Sequence, residues 1–153
     1  MILDELLEIA DAVSVAASAG TAAIGDVIDL GSAHRDIGSD EEVYFVITVD
    51  TAFVAAGAGT IEFRLVSAAT SDVTSSPTIH YSTGALVTAA STPAGQKAGK
   101  TICAVILPRE GNTYLRYLGL LCVIATQTVS AGKINAFLTK DISQWAAYAD
   151  AIN

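Results

Sequence analysis

Charge is what this sequence is shortest of: Asp, Glu, Lys and Arg make up 16% of its 153 residues, against about 25% in an average soluble domain. Basic residues are the scarcer half. Eight Lys and Arg stand against 16 Asp and Glu, for a formal net charge of −8, and no segment forms the basic stripe that phosphate neutralisation needs. Sequence-independent binding to nucleic acid is therefore not expected. Long apolar runs are missing as well: the longest, Tyr117 to Ala125, falls far short of the roughly 18–20 residues of a membrane-spanning helix, so no membrane partner is expected and the run reads as a core strand. The opening Met1-Ile-Leu-Asp-Glu-Leu-Leu-Glu8 is acidic, with no basic region ahead of an apolar stretch. A secretory signal is thus not expected, and the protein is expected to be made in a cytoplasm.

Residues that do chemistry are equally sparse. The two cysteines, Cys103 and Cys122, sit in apolar strand-like runs without C-x-x-C spacing, which favours buried free thiols over a disulfide or redox pair. There are two histidines, His34 and His80, and no G-x-S-x-G elbow; His80 in Thr78-Ile-His-Tyr-Ser82 has no acid near it in sequence. Triads assemble across sequence, but with no second supporting signal the chain is expected not to be an enzyme, and no catalytic, cofactor-binding or metal-binding residue is assigned. Ala56-Gly-Ala-Gly59 lacks the third glycine of a phosphate-cradling loop and precedes a strand, so it is expected to be a hairpin turn. The densest polar cluster, His34, Arg35, Asp36, Asp40, Glu41 and Glu42, is interrupted by Ile37 and Gly38, unlike a calcium loop with its regularly spaced oxygen ligands; a solvated loop is the simpler reading.

What the chain does have is apolar alternation, on a composition that is 52% hydrophobic. At this length about 70% of the surface of the unfolded chain can be buried, enough for a core without staples. In Val43-Tyr-Phe-Val-Ile-Thr-Val49 the residues Val43, Phe45, Ile47 and Val49 share a face, and in Thr60-Ile-Glu-Phe-Arg-Leu-Val66 Ile61, Phe63 and Leu65 point in while Glu62 and Arg64 point out. Lys133 to Thr139 alternates too; Thr101 to Leu107 and Tyr114 to Thr126 are apolar on both faces; Asp26 to Leu30 and Ala85 to Thr88 are shorter strand candidates. Turn signals fall at Ala55 to Gly59, Ser75 to Pro77, Thr92 to Gly95, Pro108 to Gly111 and Ser130 to Gly132. Short strands at this spacing predict an all-β antiparallel sandwich or barrel.

The ends read differently. Leu3, Leu6, Leu7 and Ala10 have helical spacing, Ser14 to Ala23 is rich enough in Ala, Ser, Gly and Thr to be an extended arm or link, and Ile142, Trp145, Ala146 and Ala149 repeat the helical pattern behind Asp141 as a cap. One domain over 1–153 is expected, with an N-terminal arm or short helix over 1–25, a β-sandwich over 26–141 and a C-terminal helix over 142–153. Acidity is concentrated at the front: residues 1–50 carry eleven acids against Arg35 alone, while residues 51–153 carry five acids and seven bases. That asymmetry can steer the chain, through residues such as Glu41 and Glu42, toward a basic patch on a partner.

Beside this reading stands an ordered set of sequence blocks: Met1-Ile-Leu-Asp4, Asp26-Val-Ile-Asp-Leu-Gly31, Arg35-Asp-Ile-Gly38, Ala55-Ala-Gly-Ala-Gly-Thr60, Pro108-Arg-Glu-Gly-Asn-Thr-Tyr-Leu-Arg116 and Thr128-Val-Ser-Ala-Gly-Lys-Ile-Asn135. In this order they resemble the capsid cement, or head decoration, proteins of tailed phages, of the type known from a Bordetella podovirus. The resemblance implies a jelly-roll sandwich, a small homo-oligomer (dimer favoured over trimer), and a place on the outer capsid surface of the virion, where the protein bridges major capsid protein subunits and stabilises the expanded head. The tail after Asp141 departs from that pattern. Two other classes are weighed against it: a carbohydrate-binding β-sandwich module, which a row of exposed aromatics would favour, and a small hydrolase, which His34 or His80 brought against a carboxylate and a Ser or Cys would favour. Among the aromatics Tyr81, Tyr114, Tyr117, Trp145 and Tyr148, Tyr117 reads as core and Trp145 equally as core or interface.

Overall fold

Alternation builds the two long central strands. In β3 (Tyr44–Ala55) Phe45, Ile47, Val49 and Phe53 are all buried, and in β4 (Gly59–Ala68) Ile61, Phe63 and Leu65 are fully buried while Glu62 and Arg64 turn outward and pair with each other at 2.7 Å. The structure, a computed structural model, describes residues 5–31, 37, 42–55, 57–88, 97–108, 111 and 113–142. Seven further strands complete the described fold: β1 (Glu8–Ser14), β2 (Gly20–Asp29), β5 (Thr78–Ser82), β6 (Leu86–Thr88), β7 (Thr101–Ile106), β8 (Tyr117–Ala125) and β9 (Val129–Thr139).

All described pairings are antiparallel, in one sheet of order β1-β9-β3-β7 and a second of order β2-β8-β4-β5, with β6 beside β4. With β6 set aside, first pairs with last, second with seventh, third with sixth and fourth with fifth, which is a hairpin of four strand pairs rolled into a jelly roll. The core lies between the sheets, where Phe53 and Phe63 meet across the sandwich with ring centroids 6.1 Å apart. A smaller apolar cluster covers the outer face of the second sheet: Val66, Ala68 and Leu121 are closed over by Val73 from the β4–β5 loop. Gly119 supplies the room, since a Cβ there would stand 3.1 Å from a Val73 methyl.

Several expectations are corrected. Of the segment Leu3 to Val13, expected to be helical, the described residues form only a single 3-10 turn at Glu5–Leu7 before β1, because Glu8 and Ala10 pair with Phe137 and Ala136 of β9 and Ile9 and Ala10 are buried in the sheet. Ser14 to Ala23 is no loose link: Val15 is buried, its N–H donates to the Gly132 carbonyl, and β2 starts at Gly20. The sandwich therefore begins well before residue 26. The hairpin expected at Ala56-Gly-Ala-Gly59 does not form, as β3 and β4 on either side of it belong to different sheets and do not pair with each other. Ser130 to Gly132 lies inside β9 at an irregularity of its register with β3, and Gly132, at φ 142°, takes a backbone conformation that a side chain would strain. β7 is apolar on both faces yet leaves Ile106 45% exposed, because it is an edge strand. β5 was not foreseen as a strand. Residues 143 onward of the expected C-terminal helix, including Trp145 and Tyr148, lie outside the described residues.

Candidate functional site

One end of the sandwich gathers residues far apart in sequence. β2 ends there and β8 begins there, so Asp29 meets Arg116: the guanidinium donates through Nε to Asp29 Oδ1 at 2.8 Å and through Nη2 to Oδ2 at 2.7 Å. The backbones join as well, Leu30 N–H donating to the Arg116 carbonyl at 2.8 Å, and Gly31 N–H donates to Asp29 Oδ1. A bidentate fork fixes orientation as well as distance. The carboxylate of Asp29 raises the already high pKa of Arg116, whose guanidinium also lies 4.9 Å from the centroid of the Tyr117 ring. Two of the sequence blocks, Asp26 to Gly31 and Pro108 to Arg116, are thus clasped at this end.

At the same end Ser67 of β4 lies 2.7 Å from His80 Nε2 of β5, and Leu115 N–H donates to Ser67 Oγ at 2.9 Å. The His80 ring stacks on Tyr114 at 3.8 Å between centroids. Burial pulls the histidine below its usual pKa of 6.5 and so favours the neutral ring; in the tautomer that carries its proton on Nδ1, Nε2 accepts from the Ser67 hydroxyl. This serine–histidine contact does not make a nucleophile. Ser67 is 0% exposed, and no described carboxylate bonds to His80. Tyr114 is pushed up to about 12 by burial, its hydroxyl making no hydrogen bond among the described residues. The trio locks the strand ends to the segment that leads into β8.

Beside the clasp, between the 3-10 turn, the start of β1 and the end of β2, a groove of about 940 Å³ opens. Buried Leu30 and Leu138 lie at its base, with Ile28, Ile37 and Val43 partly exposed along it. Leu6 (80% exposed) and Leu7 stand at its mouth together with Glu5, Glu8 and Asp26. Burial, then the nearby Asp11, Glu5 and Asp26, raise the pKa of Glu8 above the usual carboxylate value. Lys140 is the only cation among the described residues that line the groove.

Other sequence candidates fall elsewhere. Tyr81 packs edge-on against Phe45 in the core, with ring centroids 6.3 Å apart, and Tyr117 borders the outer apolar cluster. Of the polar cluster His34 to Glu42, only Ile37 and Glu42 are among the described residues; Glu42 accepts a hydrogen bond from the Tyr44 hydroxyl at 2.8 Å. Cys103 and Cys122 are buried free thiols. Among the described residues no three His, Cys, Asp or Glu side chains come together as a metal site, and no helix is long and apolar enough to cross a membrane. Sequence reading missed Ser67 and the groove. The excess of acids in the first fifty residues was visible, but not that the strand order would set Glu5, Glu8 and Asp26 around one apolar cleft.

Fold and site define a jelly-roll domain without a described catalytic constellation, bearing an acidic groove at one end. The chain matches the model of the Bbp16 family, a Bordetella phage protein family, over residues 9–138, and belongs to that family. No curated protein matches it. The matched segment runs from the second residue of β1 to the penultimate residue of β9, so it spans the whole jelly roll.

Proposed function

We propose that this protein is a capsid cement protein: a structural, non-enzymatic part of a phage virion that binds the outer surface of the head and stabilises its expanded form by bridging major capsid protein subunits. The observation that carries this reading is membership of a phage family over an entire jelly roll, taken together with the resemblance of the sequence blocks to cement proteins. Binding is then the whole activity. A ligand that occupies only the expanded lattice lowers the free energy of that state by RT ln(1 + [L]/Kd), about 4 kcal/mol per site at a thousandfold excess over Kd, and many sites per shell multiply the effect.

Several features support a binding role. Both described arginines, Arg64 and Arg116, are committed to carboxylates, which suits an outer surface that never meets packaged DNA. β2 is an edge strand exposed from Gly20 through Ala23, with neither charge nor proline there to discourage another strand, and this supports a homo-oligomer, dimer favoured over trimer. The carbohydrate-module alternative calls for an exposed aromatic row, and no described aromatic side chain is exposed.

The test is to add the purified protein to expanded heads that lack it. The temperature or force at which heads break should rise and saturate at a fixed ratio to capsid subunits. Decorated and undecorated heads breaking alike, or no binding to expanded heads, would refute the cement reading.

A further inference from the structure

The groove at the β1–β2 end combines two properties that rarely coexist on a surface with nothing to bind. Its base and mouth are apolar: Leu30 and Leu138 are buried beneath it, while Leu6 is 80% exposed at the edge. A large apolar side chain left in water at the lip of a concave apolar surface has most of its burial still available. Its margin is also one-signed. Glu5, Glu8 and Asp26 face the opening, and none of them has an ion-pair partner among the described residues. Asp29, the fourth acid on the lining, is held by Arg116 outside it.

We infer that this groove docks a segment of the partner protein that presents one or two large apolar side chains flanked by Lys or Arg. The inference rests on the cement reading for the identity of the partner, not for the chemistry of the segment. Charge complementarity selects that chemistry: carboxylates on the rim repel an acidic peptide and attract a cationic one, and the apolar base rejects a segment that is basic but lacks apolar side chains. A cation entering the groove also offsets the mutual repulsion of Glu5, Glu8 and Asp26 along its margin. A second copy of this chain is a poorer occupant, because its own first fifty residues carry eleven acids against one base.

Two measurements test this separately from the cement reading. In the first, the full chain, isotopically labelled, is titrated with the synthetic peptide Lys-Leu-Leu-Arg-Leu-Lys, and with a version whose Lys and Arg are replaced by Glu. Amide shifts should cluster at Leu6, Leu7, Ile28 and Val43 with the cationic peptide only. The triple variant Glu5→Gln, Glu8→Gln, Asp26→Asn, checked to melt like the parent, should bind it about tenfold more weakly, as expected when three partly exposed ion pairs are lost. Shifts elsewhere, equal response to the acidic peptide, or unchanged affinity in the variant would overturn the proposal.

In the second, parent and variant are pelleted with expanded heads over a range of salt. The variant should bind more weakly at low salt, with a shallower salt dependence. If the parent binds heads and the variant binds them equally well with the same salt slope, the groove is not the docking site and the cement reading survives. If the parent fails to bind heads at all, the cement reading falls and the peptide titration alone decides the groove.

Discussion

Ser67 carries more of the fold than a buried hydroxyl on an apolar strand would suggest. It accepts the Leu115 N–H and bonds to His80, so it ties β4, β5 and the approach to β8 together inside the wall of the sandwich. Ser67→Ala should lower stability by about 1–3 kcal/mol, because a part-buried backbone donor and a part-buried histidine nitrogen both lose their partner; a urea midpoint that falls at constant slope would show it. The two cysteines make a pH-dependent case. Burial pushes Cys103 up to about 11 and Cys122 up to about 12, from an ordinary value of 9.0. A thiol whose folded pKa is raised contributes stability that is fully present below the unfolded value and is lost as pH climbs toward the folded one. Stability should therefore decline from about pH 9 through 11–12, and the Cys103→Ser, Cys122→Ser double variant, though weaker at pH 7, should decline less steeply over that range. Thiol reagents at pH 8 should label the native protein far more slowly than the urea-unfolded chain.

At the scale of elements, the second sheet is covered on its outside by a loop instead of a helix. Val73 is 1% exposed, and it fits because position 119 in β8 has no side chain. Val73→Ala should cost about 1.6 kcal/mol, the worth of two methyl-sized groups at about 0.8 kcal/mol each. Gly119→Ala should also destabilise, since its new Cβ presses on Val73 at 3.1 Å. Combined, the two changes should cost less than their sum, because the methyl added at position 119 grows into the space that Val73 vacates; a double-mutant cycle showing strict additivity would mean that the two positions do not share that space. A related contact fixes where β1 and β2 cross. Gly25 sits at φ 72°, and a Cβ there would collide with the Ile9 carbonyl oxygen. β2 loses its regular register with β8 between Ile24 and Ile28, and this is where the strand turns toward the groove.

For the whole molecule, the sparse charge and the bare edge of β2 point the same way. A sandwich normally protects its edges with charges, prolines or bulges, and Gly20 to Ala23 has none of these while pairing in regular register with Ile124 to Leu121 on its other side. Light scattering at micromolar concentration should give a particle of twice the 15.7 kDa chain mass, and Ala22→Lys, which puts a charge on that edge, should shift it toward monomer. A monomer in the parent would remove the β2 edge from the account of assembly. Charge also sets what the molecule avoids: at a net −8 it should not retain DNA at physiological salt.

The sequence by itself determined the class of fold. Alternation in Val43 to Val49 and Thr60 to Val66 survives any arrangement of the sheets, since each strand must turn one face to a core whichever neighbours it has. It likewise determined that the cysteines are buried and that the blocks belong to a phage family. Only the tertiary structure decided the rest. The helical spacing of the first residues gives way to strand from Glu8, because pairing with β9 buries Ile9 and Ala10, and such long-range pairing outweighs a weak local pattern. The turn at Ala56 to Gly59 reads alike whether it joins neighbours or crosses between sheets, and the difference lies in strand partners far away along the chain. Ser67 with His80, Asp29 with Arg116, and the acids with their apolar groove are meetings made by strand order, and a local pattern holds no record of strand order.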